Sequence, residues 1–261
     1  MSADFAAVDG GDARELVAMM DATDAWPAVQ AARAWVLEQA QVDSKVAVDV
    51  GCGPGTFGRS AAAAGAVAVD LDRSLTMLQE TRRREDGTRV ALADAARLPL
   101  RDGAAQLVRA ERVLQWTTDP RAALAELRRV TARPGWTAVT DTDWGTLSVD
   151  HPDPRAAERL AVAALGWVPH ARFARDLERA LSELGASEVH ARTDTVVIDA
   201  WDPDDAAQYD GPPGLPLHSI AAGAAPDLGD AVDRDLDALA DHARRGQFSA
   251  HLTLVTVMAR R

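Results

Sequence analysis

The sequence predicts an α/β fold, a doubly wound and mostly parallel sheet with helices on both faces. Two observations carry this. Over residues 45–145, short apolar runs alternate with segments of helical spacing, the rhythm of strand–helix–strand units in a parallel sheet. The first run, Val46 to Val50, feeds straight into Gly51-Cys52-Gly53-Pro54-Gly55 and then a helix start at Thr56. Glycines on a strand-to-helix turn let the backbone approach a ligand closely, because no Cβ intervenes. The helix N-terminus behind them offers free N–H donors.

The elements follow in order. Residues 12–40 have helical spacing, with Leu16, Met19 and Met20 in one segment and Trp35, Val36 and Leu37 in a second that opens at Pro27. Both segments are expected to pack over the cleft. Ala66 to Val69 is a second strand closed by Asp70, 19 residues after Gly51, where an α/β nucleotide fold places the acid that accepts from two ribose hydroxyls. Asp72 falls on the next helix start and reads as a cap. Thr88 to Ala93 is a third strand ending at Asp94-Ala95, and Ala105 to Arg109 is a fourth, running into Glu111. Asp119 caps, and Pro120 opens, a helix through Val130. A turn over 132–135 leads to a fifth strand, Trp136 to Thr140, and 141–154 reads as irregular. Helices are expected over 154–165 and 173–184, the second stopped by Gly185. Val189 to Ile198 and Phe248 to Met258 read as the last strands. Between them 199–247 is an insertion with a helix over 230–245, of a length typical of functional lids. The expectation is one domain over 1–261: N-terminal helices 1–44, a core of 45–198 and 248–261, and a lid of 199–247.

The glycine turn has a rival reading as the dinucleotide fingerprint G-x-G-x-x-G. Here the third glycine comes one residue early, at Gly55, and Thr56 stands where that fingerprint needs glycine. With Asp49 upstream, D-x-G-x-G-x-G resembles the cofactor loop of class I S-adenosylmethionine (SAM) methyltransferases. Leu114-Gln115-Trp116, Asp119-Pro120, Leu124, Glu126, Arg129-Val130 and Arg133-Pro134-Gly135 resemble the ubiquinone/menaquinone-type (methyltransferase type 11) subgroup. The resemblance covers roughly 45–145 well and the remainder loosely. It implies a Rossmann-like seven-stranded sheet with one antiparallel strand and a helical cap. It also implies SAM as cofactor, held by Asp49, Gly51, Cys52, Gly53, Gly55, Asp70, Leu71, Asp94, Ala95 and Glu111. In this family an Asp at the place of Asp94 accepts from the adenine amino group, and the next backbone N–H donates to the ring. One departure is Ala105-Gln106, where the family has Phe-Asp at the start of strand four; this end of the strand is expected to lie far from the cofactor.

The implied activity is methyl transfer to a small-molecule acceptor at oxygen, nitrogen or activated carbon. Two alternatives stand beside it: a cyclisation or rearrangement on the same fold, and a non-catalytic SAM-binding module. A net charge of −12 argues against a nucleic-acid substrate, which needs a basic track. No apolar run reaches the length of a membrane span, and Met1 to Gly10 has no basic start or apolar core, so a cytoplasmic protein is expected. A homodimer is compatible with this reading. The Ala/Arg/Asp-rich composition, with Lys45 the only lysine, fits a high-GC bacterial source and bacterial secondary metabolism. The single cysteine, Cys52, excludes an intrachain disulfide and reads as a small packing residue. No metal is expected. His170 and His151 are the candidate general bases, since histidine titrates near neutral pH. His218, Trp116 and Trp144 are candidates for the substrate side, with Trp167 able to join an apolar wall.

Overall fold

The computed structural model describes residues 13–208, 210–223 and 229–261; the expectation for Met1 to Gly10 lies outside the described residues. Five strands, β1 (Val46–Val50), β2 (Val67–Asp72), β3 (Arg89–Leu92), β4 (Ala105–Glu111) and β5 (Thr131–Val149), run parallel. The hairpin of β6 (Val189–Ile198) and β7 (Ala250–Arg260) completes one sheet in the order β3-β2-β1-β4-β5-β7-β6. Only β7 is antiparallel to its neighbours. This is the Rossmann-like architecture that the sequence implies.

Helices cover both faces and one end. On one face α2 (Pro27–Ala40) and α3 (Thr56–Ala63) bury Val36, Ala40, Phe57 and Ala61 against Ala47, Leu107, Ala138 and Met258. On the other, α5 (Pro120–Val130) and α7 (Leu177–Glu183) bury Leu124, Leu127, Leu177 and Leu181 against Val48, Val108, Val139 and Val257. A third cluster sits at the far end of β5, where α6 (Pro154–Trp167), α8 (Leu217–Ala222) and α9 (Gly229–Arg244) close over Trp144, Leu147 and Leu252. Two further helices, α1 (Ala13–Asp24) and α4 (Leu75–Arg84), meet at the opposite rim through the Asp21–Arg84 ion pair.

Local chemistry fixes the boundaries. The Asp119 carboxylate accepts from the N–H groups of Arg121 and Ala122, with Pro120 at the first helical position, as its sequence predicts. Four expectations are corrected. The stretch 141–154 is not irregular at its start: β5 runs on to Val149, because β7 offers paired partners as far as Ala250, past a register shift between Asp143 and Ser148. β4 likewise continues to Glu111 beside Thr140. The helix expected over 173–184 divides into a 3-10 turn, Phe173–Asp176, and α7. The insertion contains a second short helix, α8, whose Leu217 and Ile220 are fully buried. At the family departure, the Gln106 side-chain oxygen accepts from the Val46 N–H at 3.0 Å, tying the starts of β4 and β1 at the edge remote from the site. Among the described residues no helix is long and apolar enough to cross a membrane.

Candidate active site

The carboxyl ends of the parallel strands open into a cleft of about 300 Å³, lined by residues that follow β1, β2, β3 and β4, by α1 and α2, and by Gly214 and Pro216 of the insertion. Its first wall is the glycine turn. Gly51 has φ 70, and a Cβ there would run into the Val113 side chain, so only glycine fits both the turn and the packing. The Gly51 and Cys52 N–H groups donate to the Leu71 carbonyl at 2.7 and 3.0 Å. Leu71 thus shapes the turn through its backbone while its side chain stays in the core, 1% exposed. Gly55 lies behind the turn as the N-cap of α3 and, with Leu71, is outside the cleft lining; both cofactor expectations are corrected to supporting roles.

Asp70 is a second correction. Its carboxylate lies inside the sheet, 0% exposed, against Gly58 of α3, where any Cβ would overlap it. Both oxygens lack a hydrogen-bond partner. Burial, and then the neighbouring Asp49 charge, push its pKa up to about 8. Asp72 reaches the cleft instead. Its Oδ2 accepts from the Gly53 N–H at 2.9 Å and its Oδ1 from the Ser74 N–H at 2.8 Å, leaving lone pairs for a ligand diol. Burial raises its pKa, and the backbone donors of Ser74 and Gly53 work against that rise. The signal in the sequence is Ser74. It caps α4, accepting from the Met77 N–H at 3.2 Å, so the strand extends through Asp72. Asp94 and Ala95 line the rim next to β3 as expected, with Asp94 Oδ1 accepting from the Ala96 N–H at 2.8 Å.

The floor is an ion network that the sequence reading mostly missed. Arg109 bonds Asp49 at 2.7 Å and also Glu111, with its guanidinium 4.0 Å over the Phe57 ring. Arg33 reaches Glu111 at 2.6 Å and Asp24 at 2.5 Å, and Arg112 reaches the same two acids at 2.8 Å (Asp24) and 3.2 Å (Glu111). Burial works to raise the Glu111 pKa, but Arg109, Arg33 and Arg112 overcome it and hold the carboxylate well below its ordinary range. Arg112 has φ 55, a conformation uncommon outside glycine, and its N–H donates to the Thr140 carbonyl at 2.6 Å. The available signal was Arg109 and Glu111 alternating on one face of an otherwise apolar strand. Cys52 is 7% exposed, and burial, followed by Asp72 and Asp49, raises its thiol pKa well above the ordinary value; it is inert packing.

Opposite the glycine turn, Trp116 and Trp144 join Trp26 and Trp167 in lining the cleft. Trp116 and Trp167 meet edge to face at 5.1 Å and 82°, and Trp144 and Trp167 at 5.8 Å and 80°. The Trp144 Nε1–H donates to Gln115 Oε1 at 3.1 Å. The three histidine candidates lie elsewhere. His151 is buried where its Nδ1 accepts from the Asp153 N–H at 2.9 Å and its Nε2 donates to the Asp235 carbonyl at 3.0 Å, so one ring nitrogen fixes the turn into α6 and the other ties that turn to α9. His170 is half-buried outside the cleft lining, with its backbone N–H on the Gln115 carbonyl at 3.1 Å. His218, in α8, is outside the cleft lining, its backbone N–H bonded to the Asp210 carbonyl at 2.8 Å and its buried Nδ1 without a hydrogen-bond partner. Neither expected base touches the cleft, and His218 is not on its wall. Among the described residues no group of three or more His, Cys, Asp or Glu is placed to hold a metal.

The residues present fit the cofactor that the sequence implies. A Cβ at Gly53 would meet Met20 Sδ at 3.1 Å, so the turn and α1 leave a narrow cradle, with Asp72 at one side and Asp94-Ala95 beyond it. The comparisons with known proteins agree. Residues 48–139 match the family model described as a methyltransferase domain. The chain is 34% identical over 226 residues to an uncharacterised 37.1 kDa protein of transposon TN4556 in Streptomyces fradiae, covering 82% of this chain and 61% of that protein. It is 32% identical over 165 residues to the malonyl-[acyl-carrier protein] O-methyltransferase of Pseudescherichia vulneris, covering 55% and 66%. The chain therefore spans less than two thirds of the length of either curated relative. The crystal structure of the YcgJ protein from Bacillus subtilis superposes with a TM-score of 0.60 at 16% identity, covering 89% of this chain and 98% of that one, a likeness of fold.

Proposed function

We propose that the chain, whose residues 48–139 match the methyltransferase-domain family model, acts as a class I SAM-dependent methyltransferase of the type 11 group and methylates a small-molecule acceptor. The observation that carries the reading is one continuous cleft with two chemically different halves. The glycine turn, Asp72 and Asp94-Ala95 form a polar half suited to a nucleoside, and Trp116, Trp144 and Trp167 form an apolar half suited to an acceptor.

The bound sulfonium supplies an electrophilic methyl group, so the protein's task is alignment and exclusion of water. Asp72, fixed by the Gly53 and Ser74 N–H groups, would accept from the ribose hydroxyls. The Asp94 carboxylate and the Ala95 backbone would take the adenine edge. Arg33 and Arg112, both at the floor and both tied to Asp24 and Glu111, would orient the amino-acid end. The indoles would hold the acceptor against the methyl group and keep solvent out. Calorimetry with SAM, then incubation of the protein with methyl-labelled SAM and a panel of amine, phenol and carboxylate acceptors, tests this. Micromolar SAM binding with label transfer supports it. Tighter binding of NADH than SAM overturns the family role for this cleft, and SAM binding without transfer to any acceptor favours a cyclisation or a binding module.

A further inference from the structure

Methyl transfer to a hydroxyl, a carbon acid or an alkylammonium requires a group that removes a proton. Among the described residues lining the cleft only carboxylates could serve, and all of them are engaged. Six carboxylates line it, Asp24, Asp49, Asp72, Asp94, Asp119 and Glu111, and each already accepts from a guanidinium or a backbone N–H. Among the described lining residues there is no histidine or lysine. The Cys52 thiol is held protonated by its burial.

The acceptor half has a definite shape. Trp116 and Trp144 each stand nearly perpendicular to Trp167, at 82° and 80°, which makes an aromatic corner. Glycines pack closely on Trp167 and on the neighbouring Trp26. A Cβ at Gly223 would come within 2.8 Å of Trp167, and one at Gly214 within 2.6 Å of Trp26. Indole faces attract cations and stack on flat rings.

We propose that this aromatic corner takes a flat nitrogen base, an arylamine or nitrogen heteroaromatic whose lone pair is unprotonated at neutral pH, and that its walls favour the methylated cation. The inference rests on the methyl-transfer reading of the same cleft. In the reaction the nitrogen lone pair forms the new N–C bond while the C–S pair returns to sulfur. The sulfonium becomes a thioether, and the positive charge passes to nitrogen beside the indoles. No proton has to move before or during attack, which matches a lining whose described carboxylates are all engaged by guanidinium or backbone donors. An alkylamine, with a pKa near ~10, arrives protonated and meets, among the described lining residues, only carboxylates already engaged by other donors.

The test uses probes of one shape. Binding of N-methylisoquinolinium and of 2-methylnaphthalene is measured by equilibrium dialysis against the intact protein with S-adenosylhomocysteine present. The expected result is at least tenfold tighter binding of the cation, with the preference lost in Trp167→Leu. A preference below tenfold in the unaltered protein, or an equal preference in a folded Trp167→Leu, overturns the inference. SAM calorimetry on the same preparation separates the two levels: failure to bind SAM takes down the methyltransferase role and this inference together, whereas SAM binding without cation preference takes down this inference alone.

Discussion

Asp70 and Asp72 point to the same side of β2, yet only Asp72 reaches the cleft. Alternation along a strand makes them equivalent; the end of α3 separates them, since Asp70 lies beneath Gly58 and Asp72 lies beyond the helix N-terminus. Replacing Asp72 with Ala should weaken SAM binding about ten- to a hundredfold by calorimetry, the scale of hydrogen bonds to a charged acceptor, and Asp70→Asn should leave affinity unchanged. The same Asp70→Asn variant should be more stable than the parent at pH 8, with a much smaller gain at pH 5. The folded pKa is raised to about 8 against an unfolded value near ~3.9. The folded chain therefore keeps a proton that the unfolded chain has released, so this contribution is fullest below ~4 and is lost as pH rises through 8. Melting curves across that window decide it; a pH-independent difference between the two proteins would contradict the assignment of a neutral Asp70. The strand and its acids were legible in the sequence. Which acid faces the cleft was not, because the decision belongs to the Ser74 cap and to a glycine twelve residues earlier.

At the level of elements, the segments over 46–130 were readable because their signals are local: apolar runs, glycine turns, and the Asp119–Pro120 helix start. The length of β5 was not, since its second half is held by β7, whose partner residues lie more than a hundred positions away. The histidines were misjudged for a related reason. All three lie outside the cleft lining, and His151 spends both ring nitrogens on backbone partners. His151→Ala should accordingly cost about 1–3 kcal/mol in a urea melt by removing one bond within the turn into α6 and one from that turn to α9. Label transfer by the folded variant should stay within twofold of the parent; a hundredfold loss would restore His151 as a base. The insertion is the other element with a testable role. Gly214 and Pro216 line the cleft, so amides over 210–223 should gain exchange protection when SAM and acceptor are both bound. Unchanged exchange with a saturated site would leave the insertion as static packing.

At the scale of the whole molecule, the chain leaves β1 outward to β2 and β3, then crosses back to β4 on the other side. The cleft opens where those two directions diverge, the position at which open α/β sheets bind ligands. The carboxyl edge of the strands was legible in the sequence from the glycine turn after the first of them; the strand order was not. Nor was the aromatic half of the cleft, because it is assembled from a turn between α1 and α2, two strand ends, α6 and the insertion.

The pairing of every guanidinium on the cleft floor has a consequence for ligand traffic. Arg33, Arg109 and Arg112 are neutralised at close range by Asp24, Asp49 and Glu111, so an approaching molecule senses the excess of acids that gives the chain its charge of −12. SAM carries net positive charge and its demethylated product carries none. Substrate cofactor is thus drawn in along the field while spent cofactor leaves without being held by it. Stopped-flow association of SAM should slow severalfold between low and high ionic strength, and that of S-adenosylhomocysteine should hardly change. Equal salt dependence for the two would show that capture is governed by the cradle alone. If the rates separate as expected, the acidic surface is a one-way valve, favouring turnover when both forms of the cofactor compete for the same cradle.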